Sequence, residues 1–313
     1  MQTAPTEGPE TLMEAVEYFS DPATCFSFMC SIRWPDGVVT CPRCGSASVK
    51  FIQTRRLFEC KDCVTRKQFS VKVGTVLEDS PIPLNKWLTA VWLIANCKNG
   101  ISSYEIARDI GVTQKSAWFL LHRIRLAMQT GTFDRLSGDV EVDETYIGGK
   151  ARNMHKGKRA EKIIGTGGVG KVAVMGLLQR HGEVRVQVID STRRGPVQSH
   201  VRKQIKPGAT VYTDALSSYV GLDEDYMHQV IDHAEEYAKG KVHTNGLENF
   251  WSLLKRGIKG TYISVEPFHL FRYLDEQAWR FNHRKENDRD RFLRAVIRVA
   301  GKRLTYQELT GKA

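Results

Sequence analysis

The sequence predicts a multi-domain α/β chain: a small cysteine-rich module, a helical segment, then a larger unit in which strands and helices mix in one sheet-based domain. Three observations predict it. Two short cysteine pairs, Cys41-Pro-Arg-Cys44 and Cys60-Lys-Asp-Cys63, sit among alternating stretches. Residues 84–128 repeat apolar side chains at helical spacing, interrupted by a glycine turn. From residue 138 the period changes to two, and strand-like runs then alternate with helical ones.

The chain has 313 residues and 41% hydrophobic composition, enough for two or three domains with proper cores. Its formal net charge is +11, unevenly placed, because residues 1–40 hold six acids and a single basic residue, Arg33. A basic body suits a polyanionic partner, most often nucleic acid, although charge alone equally fits a merely soluble basic protein. The acidic, polar start does not read as a signal peptide, and no apolar run reaches membrane-span length, so a cytoplasmic protein with no membrane partner is expected. Seven cysteines, four of them in pairs, point to a reducing compartment and a metal site instead of a disulfide framework.

Residues 1–37 form an N-terminal helical segment, with a short amphipathic helix over 10–20 burying Leu12, Ala15, Val16 and Phe19. Residues 38–80 read as a zinc ribbon: the Cys41 knuckle, a strand over Val49–Phe58, the Cys60 knuckle, then a strand over Gln68–Val76. Pro81 and Pro83 mark the boundary. In 84–130 a helix over Asn85–Cys97 ends at Gly100. Ser102 and Glu105 form a capping box for a short helix, Ser103–Asp109, and Thr113 caps a third, Gln114–Met128. Helix, short helix, glycine turn and longer basic helix is a helix-turn-helix pattern. Residues 137–285 hold strands at Val140–Ile147, Val172–Leu178, Val184–Ile189, Thr210–Thr213 and Gln229–Asp232, with helices near Pro196–Ile205, Asn245–Ile258 and Pro267–Arg284. Residues 286–313 form a helical tail.

The cysteine pattern C-x2-C-x15-C-x2-C matches a four-cysteine zinc site. Each knuckle lets two thiolates reach one tetrahedral ion, and four thiolates leave no open position, so one structural Zn²⁺ is expected. The ribbon also carries Arg55 and Arg56, which suit a DNA-facing surface or a solvated face. On the third helix Gln114, His122 and Arg125 share one face, with Lys115 beside them at the N-terminal end. Such residues reach base edges in the major groove, although three-helix units of this kind also occur without DNA function. Trp118 is expected to pack against a neighbour.

Three acids stand apart. Asp143 lies on a strand with Glu141 on the same face, Asp214 ends the strand at Thr210, and Glu248 lies on a helix. On that helix Leu247, Phe250, Trp251 and Leu254 form the buried stripe, and Glu248, Ser252, Lys255 and Lys259 form a polar one. Three hard carboxylates suit Mg²⁺ or Mn²⁺, and two such ions could cut nucleic acid, with Lys255 on the flanking phosphate. Gly165–Lys171 looks like a phosphate-binding loop, but Val172 stands where Ser or Thr should hold magnesium, so a basic loop is the better reading. His228, His233 and His243 match no compact ligand set and read as structural, with His243 near enough to Glu248 to line the cleft.

Three motifs then resemble a known family: Val-Asp143-Glu-Thr-Tyr-Ile-Gly-Gly-Lys150, Tyr-Thr-Asp214, and His-Thr-Asn-Gly-Leu-Glu248-Asn-Phe-Trp-Ser-Leu-Leu-Lys255-Arg256-Gly-Ile-Lys259. They resemble the DDE transposases of bacterial insertion sequences, and the ribbon front end resembles the IS fifteen-ninety-five family. The resemblance covers about residues 15–285. It implies an RNase H-like catalytic fold, with Asp143, Asp214 and Glu248 as ligands of two Mg²⁺ (or Mn²⁺) ions. It also implies cleavage at the terminal inverted repeats, strand transfer into target DNA, and at least a dimer on double-stranded DNA. Two other functions are open on the sequence: a DNA-binding regulator with an idle catalytic domain, or a housekeeping nuclease of the same fold.

Overall fold

The computed structural model describes residues 8–129, 134–148, 171–231 and 243–311. The chain divides into two compact units, one of residues 1–129 with 285–313, the other of residues 130–284.

In the first unit, helix α1 (Leu12–Tyr18) is closed by a Thr11–Glu14 capping box. It buries Ala15, and the C-cap Phe19 is buried too, but Leu12 and Val16 are 41% and 48% exposed, so half of the expected apolar stripe faces solvent. Helix α2 (Pro22–Arg33) lies within the expected helical segment 1–37, in which only the helix over 10–20 has expected bounds. Its signals are local: Asp21 accepts the Thr24 N–H as N-cap, and proline occupies the first turn. Phe26 of α2 stacks on Phe51 and Phe58, at 5.5 and 5.9 Å between centroids, which ties this helix to the cysteine module.

The module is a three-stranded antiparallel sheet of β1 (Val49–Ile52), β2 (Leu57–Cys60) and β3 (Gln68–Phe69). The single strand expected over Val49–Phe58 is a hairpin, turned by a 3-10 turn at Gln53–Arg55 and by Arg56 in a left-handed conformation. The strand expected to run on to Val76 stops at Phe69, and the chain proceeds in turns.

Helices α3 (Leu84–Asn96), α4 (Ser103–Ile110) and α5 (Gln114–Met128) follow at the expected places. The Ser102–Glu105 capping box forms, Gly111 takes the left-handed conformation that ends α4, and Thr113 caps α5. The tail is two helices, α9 (Asp288–Ile297) and α10 (Tyr306–Thr310), with a non-helical stretch between them. Helix α9 packs on α3 and α5, and its Phe292, fully buried, touches Phe19, Phe28 and Trp92.

The second unit is a five-stranded mixed sheet in the order β6-β5-β4-β7-β8, with β4 Asp139–Ile147, β5 Val172–Gln179, β6 Val184–Ile189, β7 Thr210–Asp214 and β8 Met227–Ile231. Strand β5 runs antiparallel to β4 and β6, whereas β7 and β8 run parallel to β4. Helix α6 (Arg194–Gln204) covers one face, over Val140, Val142, Met175 and Leu177. Helices α7 (Asn245–Gly257) and α8 (Leu270–Asn282) cover the other, over Val174, Leu178 and Val184. Val140 and Val142 therefore point to α6, and Glu141 and Asp143 point to α7. The basic loop read over Gly165–Lys171, and His233, lie outside the described residues except for Lys171. Among the described residues no helix is long and apolar enough to cross a membrane.

Candidate metal centre and active site

The four cysteines Cys41, Cys44, Cys60 and Cys63 converge, with all sulfurs within 4.8 Å of one another. Cys41 and Cys63 are 3.7 Å apart, Cys44 and Cys60 3.5 Å, and Cys44 and Cys63 3.5 Å. Ligands ~2.3 Å from a tetrahedral ion stand about 3.8 Å from each other, so the cluster fits a structural zinc ion. Burial would raise the Cys41 thiol, but the Arg43 and Cys44 N–H groups and neighbouring thiols hold it down at about 7, while Cys63 is pushed up by its contact with Cys44. Four sulfurs that compete for protons at this spacing are suited to giving them up to a cation. Cys41→Ser or Cys60→Ser is expected to lose the one bound zinc per chain and to unfold the ribbon. Metal analysis checks this, and a variant retaining full zinc stoichiometry would refute the four-cysteine site.

Asp143 lies mid-strand in β4, paired in register with Gly176 of β5. That glycine has a physical reason. A Cβ there would lie 2.6 Å from the Trp251 ring, so only glycine lets α7 bring its indole down onto the sheet. The Trp251 Nε1–H then donates to Asp143 Oδ2 at 2.8 Å, and the Glu144 N–H donates to Oδ1 at 2.8 Å. Burial pushes the Asp143 carboxyl up to about 6. The Trp251 N–H pulls it down, and the charges of Asp214 and then Glu248 push it up again. The sheet and α7 thus bring Asp214 and Glu248 each within electrostatic reach of Asp143.

Asp214 ends β7 half-buried, and its Oδ1 accepts the Leu216 N–H at 3.2 Å. Glu248 is exposed in the first turn of α7. Among the described residues the cysteines are the one group of three or more potential ligands with ligand atoms within 4.8 Å of each other, so the acids are spread more widely than the thiols. The hard oxygen donors and the raised Asp143 pKa fit a divalent cation, which would relieve the mutual repulsion.

The partners of Asp143 were not all foreseen. Trp251 read as core, and the extra signal was the indole N–H that a buried Trp must satisfy. Glu141 shares the face of Asp143 as expected, but its oxygens accept from Arg180 Nε and the Leu247 N–H, both at 3.0 Å. His228 bonds Thr213 at 2.9 Å, and His243 sits 3.5 Å from Glu141, consistent with structural roles.

Glu144 faces the other side. Burial pushes it up to about 7, against the pull of the Tyr219 hydroxyl, which donates to it at 2.5 Å. A carboxyl raised in the folded state contributes stability that is full below about pH 4.5 and is lost as pH rises through 7. Glu144→Gln keeps an acceptor for Tyr219 and cannot ionise. Its melting temperature is expected to match wild type at pH 4 and exceed it at pH 8, and a thermal scan at both values decides.

Other expected contact residues divide. Arg55, Arg56, Lys115, Arg256 and Lys259 are exposed, and Lys255 is half-buried. Lys259 does not continue the polar stripe of α7 in phase, because the backbone widens to a π turn at Ile258–Tyr262. Gln114 is half-buried and donates to Ser103 Oγ at 2.8 Å. His122 and Arg125 are 0% and 1% exposed, so neither can reach a base from α5. Helix α9 packs on α5, and no periodicity within α5 announces it. Trp118 packs against His122 at 4.6 Å between centroids, as expected.

Comparison with known proteins then decides the family. Residues 135–282 match the model of the ISXO2-like transposase domain, and residues 20–66 match that of the transposase zinc-ribbon domain. A protein in transposable element ISH50 of Halobacterium salinarum is 30% identical over 257 residues, covering 78% of this chain and 85% of its own. The chain belongs to the ISXO2-like transposases. A transposase-like protein of Haemophilus influenzae is 31% identical over 118 residues, 37% of this chain and 94% of its own. The zinc-ribbon match of this ISXO2-like chain begins at residue 20 and so takes in α2, the helix whose Phe26 stacks on the ribbon.

Proposed function

We propose that the chain is an active insertion-sequence transposase. It binds the terminal inverted repeats, cuts them at a two-metal site of Asp143, Asp214 and Glu248, and joins the freed ends to target DNA in the cytoplasm. The observation that carries this reading is the placement of Asp143 and Asp214 on neighbouring parallel strands and of Glu248 in the first turn of α7, the helix that Trp251 ties to Asp143. The sheet order, with β4 central, antiparallel β5 and then β6 on one side and parallel β7 and β8 on the other, supports an RNase H-like domain. The first three helices after the ribbon, with the glycine turn between α4 and α5, support a helix-turn-helix.

Two Mg²⁺ or Mn²⁺ ions held there would activate the attacking hydroxyl and stabilise the leaving oxygen. Lys255, Arg256 and Lys259 follow Glu248 and suit the phosphates next to the scissile bond. Gln114, Lys115, Arg55 and Arg56 suit repeat DNA. Cutting two ends in concert calls for at least a dimer on DNA. The test is incubation with DNA carrying the repeats that flank its own locus, with Mg²⁺ or with EDTA. Nicking at the repeat ends that needs the metal supports the proposal, and binding without cutting would overturn it in favour of a regulator.

A further inference from the structure

We infer that Glu141 is a positioning residue for Glu248: its carboxylate caps helix α7 and sets the register of that helix on strand β4. The inference rests on the reading of Asp143, Asp214 and Glu248 as one metal site. The N-cap of helix α7 is Thr244, whose side chain makes no capping hydrogen bond. Its first-turn N–H groups need an acceptor from elsewhere. Glu141 supplies one from 106 residues away, accepting the Leu247 N–H at 3.0 Å, and it is only 1% exposed.

The geometry is a matched pair of rungs. Glu141 and Asp143 project from one face of β4 about 6.8 Å apart. Leu247 and Trp251 are four residues apart on α7, about 6 Å along its axis. The first carboxylate takes the Leu247 N–H and the second takes the Trp251 indole N–H. Gly246 lets the lower rung close, because a Cβ there would lie 2.8 Å from Glu141 Oε2 and 2.4 Å from Leu178. Glu248 is the residue after Leu247. A slip of α7 by one residue would rotate it by about 100° and turn Glu248 away from Asp143. The Arg180 Nε–H, 3.0 Å from Oε1, offsets the charge of Glu141.

The Leu247 N–H on one oxygen, and Arg180 with His243 Nδ1 at 3.5 Å on the other, allow a separation. Glu141→Gln keeps an oxygen for the Leu247 N–H and loses the ion pair with Arg180, whereas Glu141→Ala loses both. Mn²⁺ affinity of the full, zinc-loaded chain, read by electron paramagnetic resonance, is compared with thermal unfolding. Positioning predicts that both variants melt lower. It also predicts that Glu141→Ala binds Mn²⁺ roughly 10- to 100-fold more weakly and that Glu141→Gln stays within about threefold of wild type. Wild-type affinity in Glu141→Ala, or equal loss in both, overturns the inference. Asp143→Asn is the control for the reading beneath it: that variant must lose the Mn²⁺ site, and wild-type affinity there would sink the metal site and this inference together. Should Glu141→Ala fail to fold, Gly246→Ala presses a methyl against the same carboxylate. A loss of about tenfold is then expected, and wild-type Mn²⁺ affinity in the folded variant overturns the inference.

Discussion

Asp143→Asn will leave repeat binding intact and slow strand cleavage by at least about a thousandfold, the scale of losing a main stabiliser of transition-state charge. The substitution keeps the side-chain shape, and its one oxygen can still accept from Trp251 or from the Glu144 N–H. What it removes is a negative charge that lies within reach of Asp214 and Glu248 and that would help to hold the proposed cation. The sign of the accompanying stability change is informative. Burial raises the Asp143 pKa to about 6, so its contribution to stability is full below about pH 3.8 and is lost as pH rises through 6. An amide escapes that loss. At pH 8, zinc-loaded and without added Mg²⁺, the variant is therefore expected to melt no lower than wild type, while with Mg²⁺ it fails to cut. A dead variant that also melts well below wild type would instead indicate damage to the fold.

The second large effect concerns the tail. Deleting residues 285–313 is expected to unfold the unit that contains the ribbon and helices α3 to α5, although all of those elements remain in the chain. The tail is core, and its backbone is stitched in. Val76 N–H donates to Val299 O and Gly301 N–H to Gly74 O, both at 2.9 Å. Arg123 Nε donates to Leu304 O at 3.1 Å and Lys302 Nζ to Leu126 O at 2.9 Å. Phe292 fills the space between Phe28 and Trp92. Phe292→Ala alone is expected to cost about 3–5 kcal/mol, as for other large core truncations. Circular dichroism and limited proteolysis of the deleted chain measure the larger effect. A fusion of residues 1–129 to 285–313 through a short linker should restore both the fold and repeat binding. A deleted chain that still gives a protease-resistant ribbon-and-helix fragment would refute the prediction.

Much of this was legible because the signals were local. Ser102, Glu105, Gly111 and Thr113 define α4 and α5 by capping chemistry that acts within one turn. The alternation around Asp143 and the apolar stripe of α7 each report the face that an element buries. Two kinds of feature were not legible. Arg56 adopts a left-handed turn that nothing in its residue type requires, so a hairpin read as one strand. His122 and Arg125 sit on a helix buried by a segment from the far end of the sequence, and hydrophobic period reports burial only where the buried residues are apolar. The same long-range logic hid Glu141, since its partner, the Leu247 N–H, is a backbone group and leaves no trace in residue identity.

The split of the first unit also fixes an order of events during synthesis. A ribosome makes the ribbon and its three helices first, but their shared core stays open until Phe292 and Leu304 have been added. By then the strands with Asp143 and Asp214 and the helix with Glu248 have already been translated. On the proposed function, a message cut short within that sheet would yield no folded ribbon-and-helix fragment to occupy the repeats, and only a chain already carrying Asp143, Asp214 and Glu248 would compete for them.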